Sequence, residues 1–209
     1  KRVLFRSGAV ISPLLANIYL DPLDHHMAAS HLEMVRYADD FVILCRTEAE
    51  AHRALALVRQ WTEENGLTLH PDKTRIVNAA EPGGFDFLGY HFERSGKRWP
   101  SRKAVGALRD HLRPLVRRSN GHSMEAIARR VNPILRGWFE YFKHGNPLDL
   151  LKVDAWLRMR LRSILWQRHR RHGVGRGRSH SLWPNAYFHQ LGLFSLAAAH
   201  ALAHQSARR

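Results

Sequence analysis

The chain has 209 residues, with 33 Lys and Arg against 18 Asp and Glu and a formal net charge of +15. Its hydrophobic share of 44% excludes a disordered or collagen-like protein and is sufficient for a buried core. The single cysteine, Cys45, excludes a disulfide scaffold and a zinc finger, because both need several thiols. The sequence contains neither a membrane-spanning run nor a signal peptide, which indicates an intracellular protein. Because it does not begin with Met, we expect a fragment or a processed product.

The charge is divided unevenly along the chain. Residues 1–93 carry 9 basic and 13 acidic side chains, a net charge of −4, whereas residues 94–209 carry 24 and 5, a net charge of +19. The basic part also holds five of the six tryptophans. This combination favours a nucleic-acid partner, since basic patches attract phosphates. A solvated basic face and a membrane surface are the weaker alternatives.

The acidic part begins with a helix and a hairpin. The helix is predicted to start at Ser12, its N-cap, with Pro13 in the first turn. Two short runs of strand-forming residues, 34–38 and 41–45, flank Asp39 and Asp40 and predict a β-hairpin with two carboxylates at its tip. The apolar stripe of the helix consists of Leu14, Leu15, Ile18 and Tyr19.

A second helix follows the hairpin. A capping box at Thr47 and Glu50 marks its start, and Gly66 marks its end. Strand patterns then recur over residues 67–69, 74–77 and 85–92. The apolar positions of the helix are Ala51, Ala54, Leu55, Val58 and Trp61.

Beyond Arg94 the strand patterns disappear, and a domain boundary is predicted in the turn-rich segment 94–100. Amphipathic helices are predicted over 103–118, 124–142 and 149–171, with Pro114 and Pro133 kinking or restarting the first two. A basic, glycine-rich loop at 173–178 and one or two helices within 182–202 follow. The fold class is therefore α+β. The stripe of the third helix leaves four arginines for its outer faces: Arg158, Arg162, Arg168 and Arg170.

Asp39 and Asp40 are the first candidates for chemistry. Adjacent carboxylates repel each other and favour a nearby cation, and aspartates hold the Mg²⁺ pair of phosphoryl-transfer enzymes. Acidic turns are common, however, so this spacing alone favours an ordinary turn. The fifteen histidines have no metal-binding spacing and are predicted to lie on the surface or to face RNA.

The order of five segments carries a family resemblance. Residues 36–43, RYADDFVI, resemble the catalytic Y-A-D-D box of reverse transcriptases. Residues 8–20, 66–74 and 85–90 resemble the blocks on either side of that box in group II intron reverse transcriptase/maturases, and residues 132–142 resemble their maturase segment. This resemblance implies a partial reverse transcriptase palm at 1–93, a hairpin with helices, followed by an all-α thumb or maturase domain at 94–209.

The resemblance also implies an RNA-directed DNA polymerase, a nucleotidyltransferase with two Mg²⁺ ions. Asp39 and Asp40 would be metal-binding catalytic acids, and Lys73 would act beside the phosphates of the nucleotide. A lysine at position 73 is equally typical of the exposed face of a strand as of a catalytic site. Ser12 and Asn17 are equally typical of helix capping and packing. The implied nucleotide and primer contacts are Tyr37, Ala38, Ser12, Asn17, Leu88 and Gly89.

The basic part would bind intron RNA through phosphate contacts and aromatic stacking. The helical spacing of Trp138, Phe139 and Phe142 favours the core instead for these three residues. The further partners implied are an RNA template with a DNA primer and deoxynucleoside triphosphates, without a membrane, in the bacterial cytoplasm. The implied RNA contacts are Arg129, Arg130, Arg136, Lys143, Arg158, Arg160 and Arg162.

The sequence departs from the family pattern in three places. The family's third metal-binding aspartate has no counterpart, Arg6-Ser7-Gly8 stands in place of a Pro-Gln-Gly, and no cysteine pairs or H-N-H pattern of an endonuclease follow. We therefore expect an N-terminally truncated chain with an incomplete metal site. Three hypotheses remain open: a polymerase that copies intron RNA in retromobility and assists splicing, an RNA-binding maturase without polymerase activity, and a degenerate reading frame.

Overall fold

The structure, a computed structural model, describes residues 11–169 and 177–206. The chain divides into two compact units, residues 1–81 and 82–209. Three predicted features lie outside the described residues: the segment 6–8, Arg170 and most of the loop at 173–178. The described elements include both helices and antiparallel strands, which confirms the α+β class.

The first unit consists of α1 (Ser12–Ala29), β1 (Glu33–Tyr37), β2 (Asp40–Leu44) and α2 (Glu48–Glu64). The two strands form the predicted antiparallel hairpin, with Glu33 opposite Leu44 and Tyr37 opposite Asp40. Both helices contribute to one small core beneath the hairpin, and strand residues pack against it. The buried residues of that core are Leu20, Leu23, Met27, Leu32, Ala54, Val58 and Trp61.

Helix α1 differs from its prediction in cap and in buried face. Ile11, not Ser12, is the N-cap, and no side chain caps the helix, although Pro13 lies in the first turn as predicted. The predicted stripe is exposed, with Ile18 64% accessible. The helix continues to Ala29, and three residues of its second half pack into the core instead: Leu20, Leu23 and Met27.

Helix α2 confirms its prediction closely. The Thr47 side chain accepts a hydrogen bond from the Glu50 amide at 3.1 Å, and Gly66 follows the helix with φ 68°. The strands predicted at 67–69 and 74–77 are wrong, since neither segment pairs with another strand. Leu67 and Leu69 pack against the core. The apolar residues therefore alternate with a polar one as they do in a strand, although the segment has no strand partner.

The second unit opens with a three-stranded antiparallel sheet of β3 (Phe85–Phe87), β4 (Tyr90–Phe92) and β5 (Arg98–Pro100). The single strand predicted over 85–92 is thus a hairpin, because Leu88 and Gly89 have φ values of 48° and 76° and turn the chain. Strand β5 lies within the predicted boundary segment. The compact units divide after Glu81 rather than Glu93, because the hairpin pairs with β5 in the second unit.

Six helices complete the described part of the second unit. They are α3 (Arg102–Leu112), α4 (Met124–Phe142), α5 (Pro147–Arg168), α6 (Arg178–Leu182), α7 (Asn185–Gln190) and α8 (Leu196–Ser206). Helix α4 has the predicted bounds but neither restarts nor ends at Pro133, whereas α3 ends before Pro114. The tail predicted at 182–202 holds two helices, α7 and α8, as expected, and the short α6 precedes them.

The core of the second unit lies between α4, α5 and the helices of the tail. Phe139 and Phe142 are buried, as their helical spacing predicted, and Trp138 is partly buried. In α5 the core side chains include Leu150, Leu157 and Ile164. None of the helices in residues 11–169 and 177–206 is long and apolar enough to cross a membrane.

Candidate functional site

The two aspartates lie at the exposed tip of the first hairpin. Tyr37 pairs with Asp40, so Ala38 and Asp39 form a two-residue turn. Ala38 has φ 53°, a left-handed conformation that such tight hairpins require. Both carboxylates are exposed, and the neighbouring Tyr37 is 69% accessible. The hairpin therefore presents two acids and an aromatic ring together to solvent.

Arg36 holds this tip in place, a role that the sequence analysis missed. Its Nε donates to Asp24 Oδ1 at 2.8 Å, and a terminal nitrogen donates to the other oxygen of that carboxylate. The remaining terminal nitrogen donates to Asn17 Oδ1 at 3.0 Å and to the Ala38 carbonyl at 2.8 Å. The hydrogen bond with Asp24 raises the pKa of Arg36. One guanidinium thus joins α1 to the turn that carries Asp39.

The other residues predicted around the nucleotide take different positions. Asn17 contacts Arg36, which agrees with the packing alternative, while Ser12 lies exposed in the first turn of α1. Lys73 is exposed in a turn in which its amide donates to the His70 carbonyl at 3.2 Å. Within the described residues, no hydrogen bond or ion pair joins Lys73 to Asp39 or Asp40.

Carboxylate oxygens are the ligands that Mg²⁺ prefers. In the part of the chain that the structure describes, however, no three His, Cys, Asp or Glu side chains come together as a metal site. A two-metal site needs more ligands than two carboxylates. Asp39 and Asp40 therefore do not complete such a site by themselves.

The turn at Leu88 and Gly89 is tied to helices of its own unit. The Tyr141 hydroxyl donates to the Leu88 carbonyl at 2.8 Å, and the Ser101 amide donates to the Gly89 carbonyl at 2.8 Å. A Cβ atom added to Gly89 would lie 3.3 Å from the Phe142 ring. The left-handed φ and this close approach both favour glycine at the position.

Three of the arginines predicted to contact RNA are exposed on α4. Arg129 and Arg136 are seven residues apart and lie on one face of the helix, and the Arg136 guanidinium lies 4.5 Å above the Phe194 ring. Arg130 contacts His122 Nε2 at 3.1 Å. Lys143 is half-buried and paired with Glu140 at 3.0 Å. Helix α4 thus offers a basic surface that phosphates can reach.

The arginines of α5 are less accessible than predicted. The outer-face prediction is wrong for Arg162, which is 4% exposed and donates to the Trp183 carbonyl at 2.9 Å and to Asn185 Oδ1 at 2.8 Å. Burial lowers its pKa. The helix pattern could not show that α6 and α7 cover this side of α5. Arg158 pairs with the buried Asp154 at 3.8 Å, and Arg160 is partly buried.

Two further side chains of this unit serve its own structure, and one of them departs from its surface prediction. His200 on α8 is buried, and that burial lowers its pKa. Arg168, at the end of α5, is exposed as predicted but is used within the unit. It donates to the carbonyl of Asn120 at 3.0 Å and to that of His122, and so holds the loop before α4.

The Y-A-D-D hairpin of the first unit and the basic helices of the second follow each other in the order expected of a reverse transcriptase followed by a maturase-type helical domain. Comparison with known families agrees: the reverse transcriptase (RNA-dependent DNA polymerase) family matches residues 3–92. The group II intron maturase-specific domain matches residues 105–183. The chain belongs to the group II intron reverse transcriptase/maturases, a family that uses divalent metal ions. No curated protein matches it.

Proposed function

We propose that this chain binds intron RNA through residues 82–209, assists its splicing, and supplies Asp39 and Asp40 to the polymerase site of a reverse transcriptase. The main support for the proposal is the uneven distribution of charge between the two units. Residues 82–209 have 24 basic and 7 acidic side chains, a net charge of +17, against −2 for residues 1–81 with 9 and 11. The activity belongs inside the cell, in a bacterial cytoplasm, where intron RNA is made.

Exposed arginines support the RNA-binding part of the proposal. Arg129, Arg130 and Arg136 reach solvent from one rigid helix, and rigid placement limits the entropy that is lost when phosphates bind. Arg158, Arg160 and Lys143 are secondary contacts because each is partly buried. Arg162 has no part in the RNA surface, since its guanidinium is used inside the unit.

The position of Asp39 and Asp40 supports the polymerase part. Both carboxylates face solvent at the end of a hairpin that Arg36 holds, where Mg²⁺, a primer end and a deoxynucleoside triphosphate could reach them. Lys73, Tyr37, Ala38, Ser12 and Asn17 would line the approach. Since two carboxylates bind a pair of metal ions poorly, the 209-residue chain by itself is not expected to polymerise.

Primer extension tests the polymerase part. The purified chain is given an RNA template, a DNA primer, Mg²⁺ and deoxynucleoside triphosphates, and extension is measured for the wild type and for Asp39→Asn and Asp40→Asn. We expect none of the three to extend the primer, while all three bind the template-primer equally. Template-dependent extension by the wild type that either substitution abolishes contradicts the expectation and establishes a complete site.

Salt dependence of RNA binding tests the other part. The affinity for a single-stranded RNA should fall steeply as salt rises, because counterions are released from neutralised phosphates. The triple substitution of Arg129, Arg130 and Arg136 by Ala should lower the slope of log K against log[salt] by about 2. The matched control replaces the exposed Arg53 and Arg59 of α2 and should change nothing. Binding that salt does not weaken, or no binding at low salt, contradicts the proposal.

A further inference from the structure

The turn between β3 and β4 holds a strained residue. Leu88 has φ 48°, a conformation that a side chain with a Cβ atom rarely adopts. A two-residue hairpin turn needs positive φ at this position, and a leucine keeps that conformation only where its surroundings fix it. What fixes Leu88 is therefore informative about the function of the turn.

Two tyrosines, Tyr90 and Tyr141, fix the turn by two consecutive hydrogen bonds. Tyr141 donates its hydroxyl to the Leu88 carbonyl at 2.8 Å, and Tyr90 donates its hydroxyl to the Tyr141 carbonyl at 2.6 Å. The second bond satisfies one of the carbonyls that the C-terminal turn of α4 leaves without a helical partner. The two rings stack with centroids 5.9 Å apart and an interplanar angle of 28°. Burial raises the pKa of Tyr90.

Of the two tyrosines, Tyr141 lies at the surface and Tyr90 is partly buried. Tyr141 is 53% exposed, while the neighbouring Phe142 is buried and fills the space beside Gly89. The hydroxyl of Tyr141 is therefore not needed to pack the unit. What it determines is the position of a turn, exposed at Gly89 and half-buried at Leu88, relative to α4, the helix that also carries Arg129 and Arg136.

We propose that Tyr141 is a positioning residue, which with Tyr90 holds the Leu88–Gly89 turn where a primer strand contacts it. This inference rests on the proposed function, because it assumes that a template-primer duplex binds to the chain. Helix α4 would then fix the distance between two nucleic-acid contacts. These are the RNA phosphates at the α4 arginines and the primer strand at the Leu88–Gly89 turn.

Amide hydrogen exchange on the free chain tests the hydrogen bonds themselves. Tyr141→Phe keeps the ring and removes the donor to Leu88, and Tyr90→Phe removes the donor to Tyr141. Each should speed exchange of the Tyr90 amide, in the strand pair that closes the turn, and of the Ser101 amide, which donates to the Gly89 carbonyl, by about fivefold, the change that loss of one ordinary hydrogen bond produces. Tyr187→Phe on α7 is the matched control and should leave these amides unchanged. Unchanged exchange in Tyr141→Phe overturns the proposal.

Photocrosslinking tests the link to the primer. A short RNA–DNA duplex with a photoreactive base near the primer end is crosslinked to each variant, and the crosslinked peptide is identified by mass spectrometry. In the wild type the primer strand should crosslink to residues 85–92. Tyr141→Phe should lower that yield about fivefold, while total duplex affinity, which depends mainly on phosphate contacts, changes less than about twofold.

The outcomes separate this inference from the proposed function. Duplex binding without a crosslink at residues 85–92, or a crosslink that Tyr141→Phe leaves unchanged, overturns the role of Tyr141. If affinity and crosslink fall in equal proportion, Tyr141 has only a structural role, and the proposal is likewise overturned. A wild-type chain that binds no nucleic acid contradicts the proposed function, and the primer role of Tyr141 then fails with it, even where exchange confirms the hydrogen bonds.

Discussion

In the first unit, the side chain of Arg36 joins α1 to the turn of the hairpin at Ala38. Replacing it with Ala removes its hydrogen bonds to the Asp24 carboxylate, to Asn17 and to the strained Ala38. Because hydrogen bonds to a charged group contribute most, we expect a loss of about 2 kcal/mol in the free energy of unfolding. Trp61 is the only tryptophan in residues 1–81, so urea unfolding followed by the ¹⁹F resonance of 5-fluorotryptophan at this position reports on the first unit alone.

Two further variants test whether the charge of Arg36 or the geometry of its guanidinium accounts for the loss of stability. Arg36→Lys keeps the charge but cannot bond to three partners in one plane, so it should recover less than half of the loss. Gln60→Ala, which removes an exposed hydrogen bond to Glu64 within α2 of the same unit, should cost under about 0.5 kcal/mol. If Arg36→Ala and Gln60→Ala have equal effects, the Arg36 hydrogen bonds do not stabilise the hairpin.

At the scale of elements, Asp154 fixes the start of α8 from α5. It is 2% exposed and accepts hydrogen bonds from Ser195 Oγ at 2.6 Å, the Leu196 amide at 3.1 Å and the Ala197 amide at 3.2 Å. Asp154→Ala leaves these donors buried without an acceptor and should cost about 3 kcal/mol. Asp154→Asn keeps one acceptor oxygen and should cost about half as much. Urea unfolding measured by circular dichroism checks both, with Asp149→Ala on the same helix as the control.

Periodicity and capping residues predicted helices well, because both are local properties. The prediction placed α4 at its observed bounds and α2 between Thr47 and Gly66. Strands depend on a partner elsewhere in the chain, which explains why 67–69 was predicted to be a strand and β5 was not. Burial of Arg162 depends on helices that follow it in the chain, so the pattern of α5 alone could not show it.

For the candidate site, the motif identified Asp39 and Asp40 and placed them correctly at the tip of a hairpin. The residues that hold the motif were not predicted, because Arg36 and Tyr141 act through backbone carbonyls that no sequence spacing marks. At both Ala38 and Leu88, a side chain donates to the carbonyl of a residue with positive φ. Strained turns and the donors that fix them are tertiary features, and only the structure shows them.

At the scale of the whole molecule, sequence families and compactness divide the chain differently. The reverse transcriptase match extends to Phe92, yet residues 82–92 belong to the second compact unit. The hairpin there packs through Tyr90, whose ring lies 4.9 Å from that of Phe142. A segment that resembles the polymerase is thus structurally part of the basic, maturase-type unit.

Two truncated chains test whether the second folded unit begins at residue 82 or at residue 94. Residues 82–209 contain the whole three-stranded sheet and the Tyr90–Tyr141 bond, and we expect them to fold cooperatively and to bind RNA with the salt dependence of the full chain, because they carry 24 of its 33 basic side chains and a net charge of +17. Residues 94–209 lack β3 and β4 and expose the Phe142 ring, which should cost at least about 2 kcal/mol. Urea unfolding and RNA titration of both chains measure these differences. Equal stability of the two chains contradicts a boundary at Glu81, and RNA binding by residues 1–81 equal to that of 82–209 contradicts the assignment of the RNA surface to the basic unit.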